Sequence, residues 1–160
     1  MFMRGEYEQA AETIQRGIKT MMATGADIVF PVYFTFLAET YWKLGRRDDA
    51  NEALEQAFAR LEPGERFYEA EMLRIRGEFA LDVRDPPAAR RFFDQSLAVA
   101  ERQQASSFTL RTTLSIARQL MVEGQRHEAH NLVLSAAAQV AGGENTPDMV
   151  AAGQFLRSTP

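Results

Sequence analysis

Residues 37–58 read LAETYWKLGRRDDANEALEQAF, and this stretch decides the fold. Ala38 and Tyr41 before Gly45, then Ala50, Leu54 and Ala57 after it, are spaced three or four residues apart. That spacing places each set on one stripe of a helix. Gly45 separates the two stripes, so the stretch predicts helix, short turn, helix.

Working outward, the pattern recurs. The segments GEYEQAAETIQRGI, GRRDDANEALEQAF, RDPPAARRFFDQSL and GQRHEAHNLVLSAA align without gaps at spacings of 40, 39 and 40 residues. The turn position holds Gly5, Gly45, Arg84 and Gly124. Five residues on stand Ala10, Ala50, Ala89 and Ala129, followed by Ile14, Leu54, Phe93 and Val133, then by Gly17, Ala57, Ser96 and Ala136. Ahead of the turn, three copies carry a leading segment in which Ala38, Gly77 and Ala117 are the small residues. Small residues are required where two helix axes approach within about 8–10 Å. Fixed-period repetition of this length is the signature of stacked helix pairs.

Local signals bound the helices. Asp85 before Pro86 and Pro87, and Thr146 before Pro147, are helix starts: the side chain accepts from a free backbone N–H, and Pro loses nothing at the first helical position. Asp27 is positioned to cap a helix carrying Pro31 in its first turn. Gly25, Glu62-Pro63-Gly64 and Gly142-Gly143 read as breaks. Helices are expected near 6–23, 28–44, 47–61, 66–83, 86–103, 107–123, 126–141 and 147–157, with Gln103–Ser107 the least distinct boundary. No strand pattern competes. The fold class is therefore all-α: a right-handed superhelical array of antiparallel helix pairs in one domain, 1–160. It divides into a half-repeat at 1–26, repeats at 27–64, 65–104 and 105–142, and a capping helix at 146–158.

Composition narrows the function classes. Asp plus Glu number 22 against 18 Lys plus Arg, a net charge of −4, which argues against nucleic-acid binding driven by bulk charge. Cysteine is absent, which removes disulfides, thiol nucleophiles and zinc–thiolate sites. No apolar run reaches the ~18 residues of a membrane span, and the start MFMRGEYEQA has no apolar leader core. A cytoplasmic protein without membrane or direct nucleic-acid contact is expected.

Leu37, Ala38, Tyr41, Gly45, Ala50, Leu54 and Ala57 fall on the landmarks of the tetratricopeptide repeat, which this sequence resembles. Phe34, Leu73 and Thr113 replace the usual early Trp, and the ~40-residue period exceeds the usual ~34. A narrower resemblance covers nearly the whole chain. The phrases ERFYEAEMLRIRGEFAL, ARRFFDQSLAVAERQQASSFTLRTTLSIARQL, GQRHEAHNLV and GGENTPDMVAAGQFL, in that order, look like the C-terminal repeat region of large bacterial signalling proteins. In those, the region follows a STAND-type P-loop ATPase, itself preceded by a class III nucleotide cyclase domain or a helix-turn-helix transcription-activator domain. The resemblance implies a regulatory or sensor arm. None of those other segments stands in these 160 residues.

The family's groove positions, carried over by register, are Thr35, Glu39, Trp42 and Lys43, then Glu71, Arg74, Glu78 and Asp82, then Arg111, Leu114, Arg118 and Met121. Trp42, the one tryptophan, would be a large amphipathic anchor. Arg74, Arg111 and Arg118 would clamp a carboxylate or acidic peptide. The competing reading pairs those cations with Glu39, Glu71 and Glu78 and leaves a solvated, neutral groove. The first copy lacks its leading helix, so Ile14, Ile18, Met21 and Met22 are expected to be partly uncovered and to offer a self-association face, giving a homodimer.

His127 and His130 share a helix face, but HEAH is not a zinc-protease motif and reads as surface histidine. Asp48 and Asp49 suit a helix first turn, where acids favour the dipole. Ser106, Ser107 and Ser115 lack His–Asp partners, and no glycine-rich phosphate loop occurs. Phe34, Phe36, Phe67, Phe79 and Phe108 read as core. The expectation is a non-catalytic module with no cofactor or metal that binds a protein or peptide partner. The alternatives are a sensor enclosing a small molecule or short peptide in the groove, and a free-standing homodimeric adaptor.

Overall fold

The computed structural model describes residues 4–23, 29–64 and 66–159. These form eight helices: α1 Arg4–Met22, α2 Phe30–Lys43, α3 Arg47–Phe58, α4 Glu69–Asp82, α5 Pro86–Arg102, α6 Ser106–Val122, α7 Arg126–Ala138 and α8 Pro147–Ser158. No strand occurs among the described residues, so the protein is all-α there. No described helix is long and apolar enough to cross a membrane.

Helix starts follow the side chains. The Asp85 carboxylate accepts from the Ala88 N–H at 3.0 Å, with Pro86 and Pro87 opening α5. The Thr146 hydroxyl oxygen accepts from Met149 N–H at the start of α8. Asp27 and Gly25 lie outside the described residues; Val29 stands at the N-cap of α2, with Pro31 in the first turn. At their C-termini α3 and α7 stop about three residues short of the sequence expectation. There the chain changes to i→i+3 bonding, Leu61 N–H to Phe58 O and Val140 N–H to Ala137 O, a common way for a last turn to satisfy orphan carbonyls.

The tightest connections share one geometry. After α2, Gly45 takes φ +79°, its N–H bonds Trp42 O, and the next N–H, of Arg46, reaches back to Tyr41 O at 2.9 Å. Arg84 (φ +62°) and Asp85 repeat this after α4, and Gly124 (φ +81°) and Gln125 after α6. A left-handed residue just past a helix end lets two consecutive N–H groups satisfy the last carbonyls and reverses the chain. Gln104 (φ +53°) and Ala105 form the same turn after α5, the boundary the sequence leaves least distinct.

The chain divides into two compact units, Met1–Met72 and Leu73–Pro160, with the boundary inside α4. In the first, α2 packs against α1 and α3, burying Phe34, Leu37, Ala38, Tyr41, Ala50, Leu54 and Ala57. In the second, α6 packs against α5, α7 and α8. Its core holds Ala89, Phe93, Leu110, Ala117, Ala129, Val133 and Ala152. The aligned small residues Ala38, Ala50, Ala89, Ala117 and Ala129 have no exposed surface at all. At Gly77 the reason for a small residue is direct: a Cβ there would lie 2.5 Å from Cε1 of the fully buried Phe93 ring.

Candidate functional site

In the first unit, Trp42 is not an open groove anchor: it is buried, and the Arg47 guanidinium lies 3.7 Å from its ring centroid. Trp42 lies on the flank of α2 that also carries buried Thr35 and Ala38, away from the exposed flank of Tyr33 and Phe36. Thr35 is also buried and donates its hydroxyl to Pro31 O at 2.6 Å. Glu39 is half-buried and Lys43 exposed.

Beside these, a cleft of about 280 Å³ is lined by Gln15, Phe34, Tyr41, Arg46, Asp49 and Glu52, among others. Gln15 of α1 donates its amide to the Tyr41 hydroxyl at 2.5 Å. Arg46 lies 4.3 Å from the Tyr41 ring centroid and donates to Asp49 at 2.6 Å. Burial pushes the Tyr41 phenol up from its ordinary value, against the opposing pull of Arg46. The bond to Asp49 holds the Arg46 guanidinium above its ordinary value.

The face expected to be open on α1 is largely closed by α2. Ile18 is buried, Ile14 and Met21 are partly covered, and Met22 alone of the four is exposed.

In the second unit the arginines meet the chain's own carboxylates. Arg74 is buried and donates to Glu78 Oε1 at 2.5 Å, one helical turn away. The Ser115 hydroxyl donates to the same oxygen at 2.7 Å. Arg111 Nε faces both Asp148 oxygens at 2.8 Å, which ties α6 to the first turn of α8. Two of the groove cations thus meet carboxylates of the chain itself, Arg74 with Glu78 on the same helix and Arg111 with Asp148 of α8. Leu114 is buried, Met121 half-buried, and Asp82 and Arg118 exposed. Glu71, assigned to the first unit, is buried. A second cleft of about 390 Å³ opens between the end of α5, the start of α6 and the end of α7, lined by Leu97, Glu101, Gln104, Ser106, Thr109 and Gln139.

Three features escaped the sequence reading. Asp148 stands 37 residues from its partner Arg111, a separation no helical period links. His130 is half-buried, its Nδ1 bonded to the Thr159 carbonyl; only His127 is the exposed histidine expected. Phe36 and Phe67, read as core, are surface rings: Phe36 is two residues from buried Phe34 and so falls on the opposite flank of α2, and Phe67 lies in the connection before α4. A period-3.6 count applied to Phe34 and Phe36 together would have separated them.

Among the described residues no group of three or more His, Cys, Asp or Glu is placed to hold a metal ion. No family model matches the chain, and neither a curated protein nor a solved structure matches it.

Proposed function

We propose that the chain is a tetratricopeptide-like array of antiparallel helix pairs that serves as a non-catalytic protein-interaction module. One observation carries this reading. The three positions that align at spacings of 39 and 40 residues in sequence coincide with the same left-handed turn at Gly45, Arg84 and Gly124, whereas Gly5, aligned with them, lies inside α1. They also coincide with fully buried alanines at Ala50, Ala89 and Ala129. Stacked units of this kind expose long helix faces, which suit capture of a protein partner. The exposed polar groups are Lys43 in the first unit and Arg118 in the second. Arg74 and Arg111 act structurally in this reading, since each already pairs with a carboxylate of the chain, Glu78 and Asp148. That favours a protein partner over a small anionic ligand clamped between arginines.

By its resemblance to the C-terminal arm of bacterial STAND-type ATPases, the module would regulate an attached ATPase by partner-dependent packing, in the cytoplasm. Immunoblotting of source-cell lysate with an antibody to this region tests that context. A band several-fold above 18.0 kDa is expected, and a band near 18.0 kDa overturns the arm in favour of a free-standing adaptor. The interaction role is tested by photo-crosslinking from position 118 and from a buried-face control at position 133. Adducts from 118 alone support it; adducts from neither, in cells under several growth conditions, count against it.

A further inference from the structure

The first unit carries large rings at its surface that packing does not explain. Tyr33 is 37% exposed, Phe36 41% and Phe67 52%. They are not scattered singly. Tyr33 and Phe36 stand at 88° with centroids 6.5 Å apart. Phe36 meets Tyr68 at 82° and 6.1 Å, and Tyr68 adjoins Phe67 at 61° and 6.0 Å. The cluster joins the start of α2 to the connection before α4. Exposed apolar surface that is contiguous marks an interaction site more often than a lone exposed side chain does.

The ring geometry says what kind of group fits. Rings near perpendicular do not make a flat apolar plate; they turn π-faces in more than one direction. Each face carries partial negative charge, which attracts a cation held within about 6 Å of the centroid. The same unit shows that its rings take guanidinium groups. Arg47 covers Trp42 at 3.7 Å, Arg46 covers Tyr41 at 4.3 Å and Arg60 covers Phe34 at 4.4 Å. Among the described residues no guanidinium is placed over Tyr33, Phe36 or Phe67. The nearest arginine in sequence, Arg66, is committed to Glu69 through two bonds of 2.9 and 2.6 Å. The connection carrying Phe67 is balanced in charge, with Arg60 and Arg66 against Glu62 and Glu65, and the chain as a whole is at −4.

We infer that Tyr33, Phe36 and Phe67 receive an arginine side chain from an extended segment of a protein partner. The site deepens the interaction-module reading and rests on it. The guanidinium lies against the exposed ring faces as the chain's own arginines lie against Tyr41 and Trp42, and the apolar stem of the arginine covers ring edges.

The full chain, with carbon-13-labelled aromatic rings, is titrated by NMR with a peptide of four Gly-Ser-Arg triplets. The control is the same peptide with citrulline, an uncharged isostere, in place of arginine. The expected result is saturable shifts at Tyr33, Phe36 and Phe67 with the arginine peptide only. Phe36→Leu keeps the apolar area and removes the π-face, so binding should weaken about two- to fivefold. Phe67→Leu, in a connection and half-exposed, gives the same reading if the α2 variant does not fold. Equal shifts with citrulline, or undiminished binding by both Leu variants, overturn the cation site and leave a general interaction surface standing. Shifts confined to other residues overturn it and move the interaction elsewhere on the chain. Ring shifts that depend on protein concentration without peptide also overturn it, by making a second copy the occupant. Absence of any shift with either peptide removes the site and weakens the interaction reading with it.

Discussion

Two helix pairs solve the same packing problem with different residues. In the first unit, Ala38 on α2 and Leu54 on α3 are buried at their register positions, and Gly45 makes the turn between them. In the second unit the corresponding positions hold Gly77, Phe93 and Arg84. A methyl removed from one helix is matched by a ring gained on the other, and the Phe93 ring fills the space a Gly77 side chain would need. The α6–α7 pair offers a third combination, Ala117 with Val133, both fully buried. Between the first two pairs the summed volume at the helix contact is nearly kept while both residues change; the third pair is smaller by one methylene. Interiors packed as densely as organic crystals favour such compensation.

The comparison breaks most visibly if charge is put into either large position. Leu54→Asp places a carboxylate at a site with almost no exposed surface, and an unpaired buried charge costs about 3–5 kcal/mol. Phe93→Asp does the same in the second unit. Hydrogen exchange read by mass spectrometry should show loss of protection beginning in 4–64 for Leu54→Asp and in 73–159 for Phe93→Asp. Identical, whole-chain loss in both variants would mean that the two units do not unfold separately.

Next in size is the volume exchange itself. Gly77→Ala sets a methyl carbon 2.5 Å from Phe93 Cε1, and overpacking of this kind costs about 1–3 kcal/mol. Combining it with Phe93→Leu recreates the Ala38/Leu54 pairing and should recover much of that loss. A double-mutant cycle on thermal unfolding measures the coupling. Additive effects would show that the ring moves aside and that the compensation is incidental.

The turns differ in the same residue-for-residue way, with smaller consequences. Gly45 at φ +79° is in a conformation that favours glycine, and a Cβ there would meet nothing within 4 Å. Gly45→Ala therefore isolates backbone strain, about 1 kcal/mol. Arg84 already bears that strain at φ +62°, so Arg84→Gly should stabilise, though part of the gain is lost to a more flexible unfolded chain. Opposite signs in chemical denaturation are expected.

These substitutions also show why the helices were readable and parts of the surface were not. Size at three- and four-residue spacing is written directly in the sequence, as are the Asp85 and Thr146 caps. The left-handed turn was legible from the repeat register at Gly45, Arg84 and Gly124, misassigned at Gly5, which lies inside α1, and indistinct at Gln104, because side-chain type alone does not report φ. Which flank a residue faces depends on both neighbours of its helix. Trp42 therefore went from expected anchor to buried ring under Arg47, and Phe36 from expected core to surface. Arg111 found Asp148 through the placement of α8 against α6, a tertiary event that no local pattern encodes.

The smallest expected effect separates the two regions by pH. Tyr41, in the first unit, aligns with Ala80 in the second, which has no titrating group. Burial raises the Tyr41 phenol above its ordinary value of 10.0. The folded state thus holds the proton more tightly than the unfolded state does. The associated stability is fully present below about pH 10 and is lost as pH rises through the folded-state value. Denaturation midpoints for the first unit should fall as the pH is raised above about 10, with those for the second unit less affected. Tyr41→Phe keeps the ring under Arg46 and removes the phenol, together with its bond to Gln15. That variant should be less stable at neutral pH yet lose less on going to high pH. Should both proteins follow parallel pH curves, the alkaline loss belongs to other groups and Tyr41 is not the residue that distinguishes the two units.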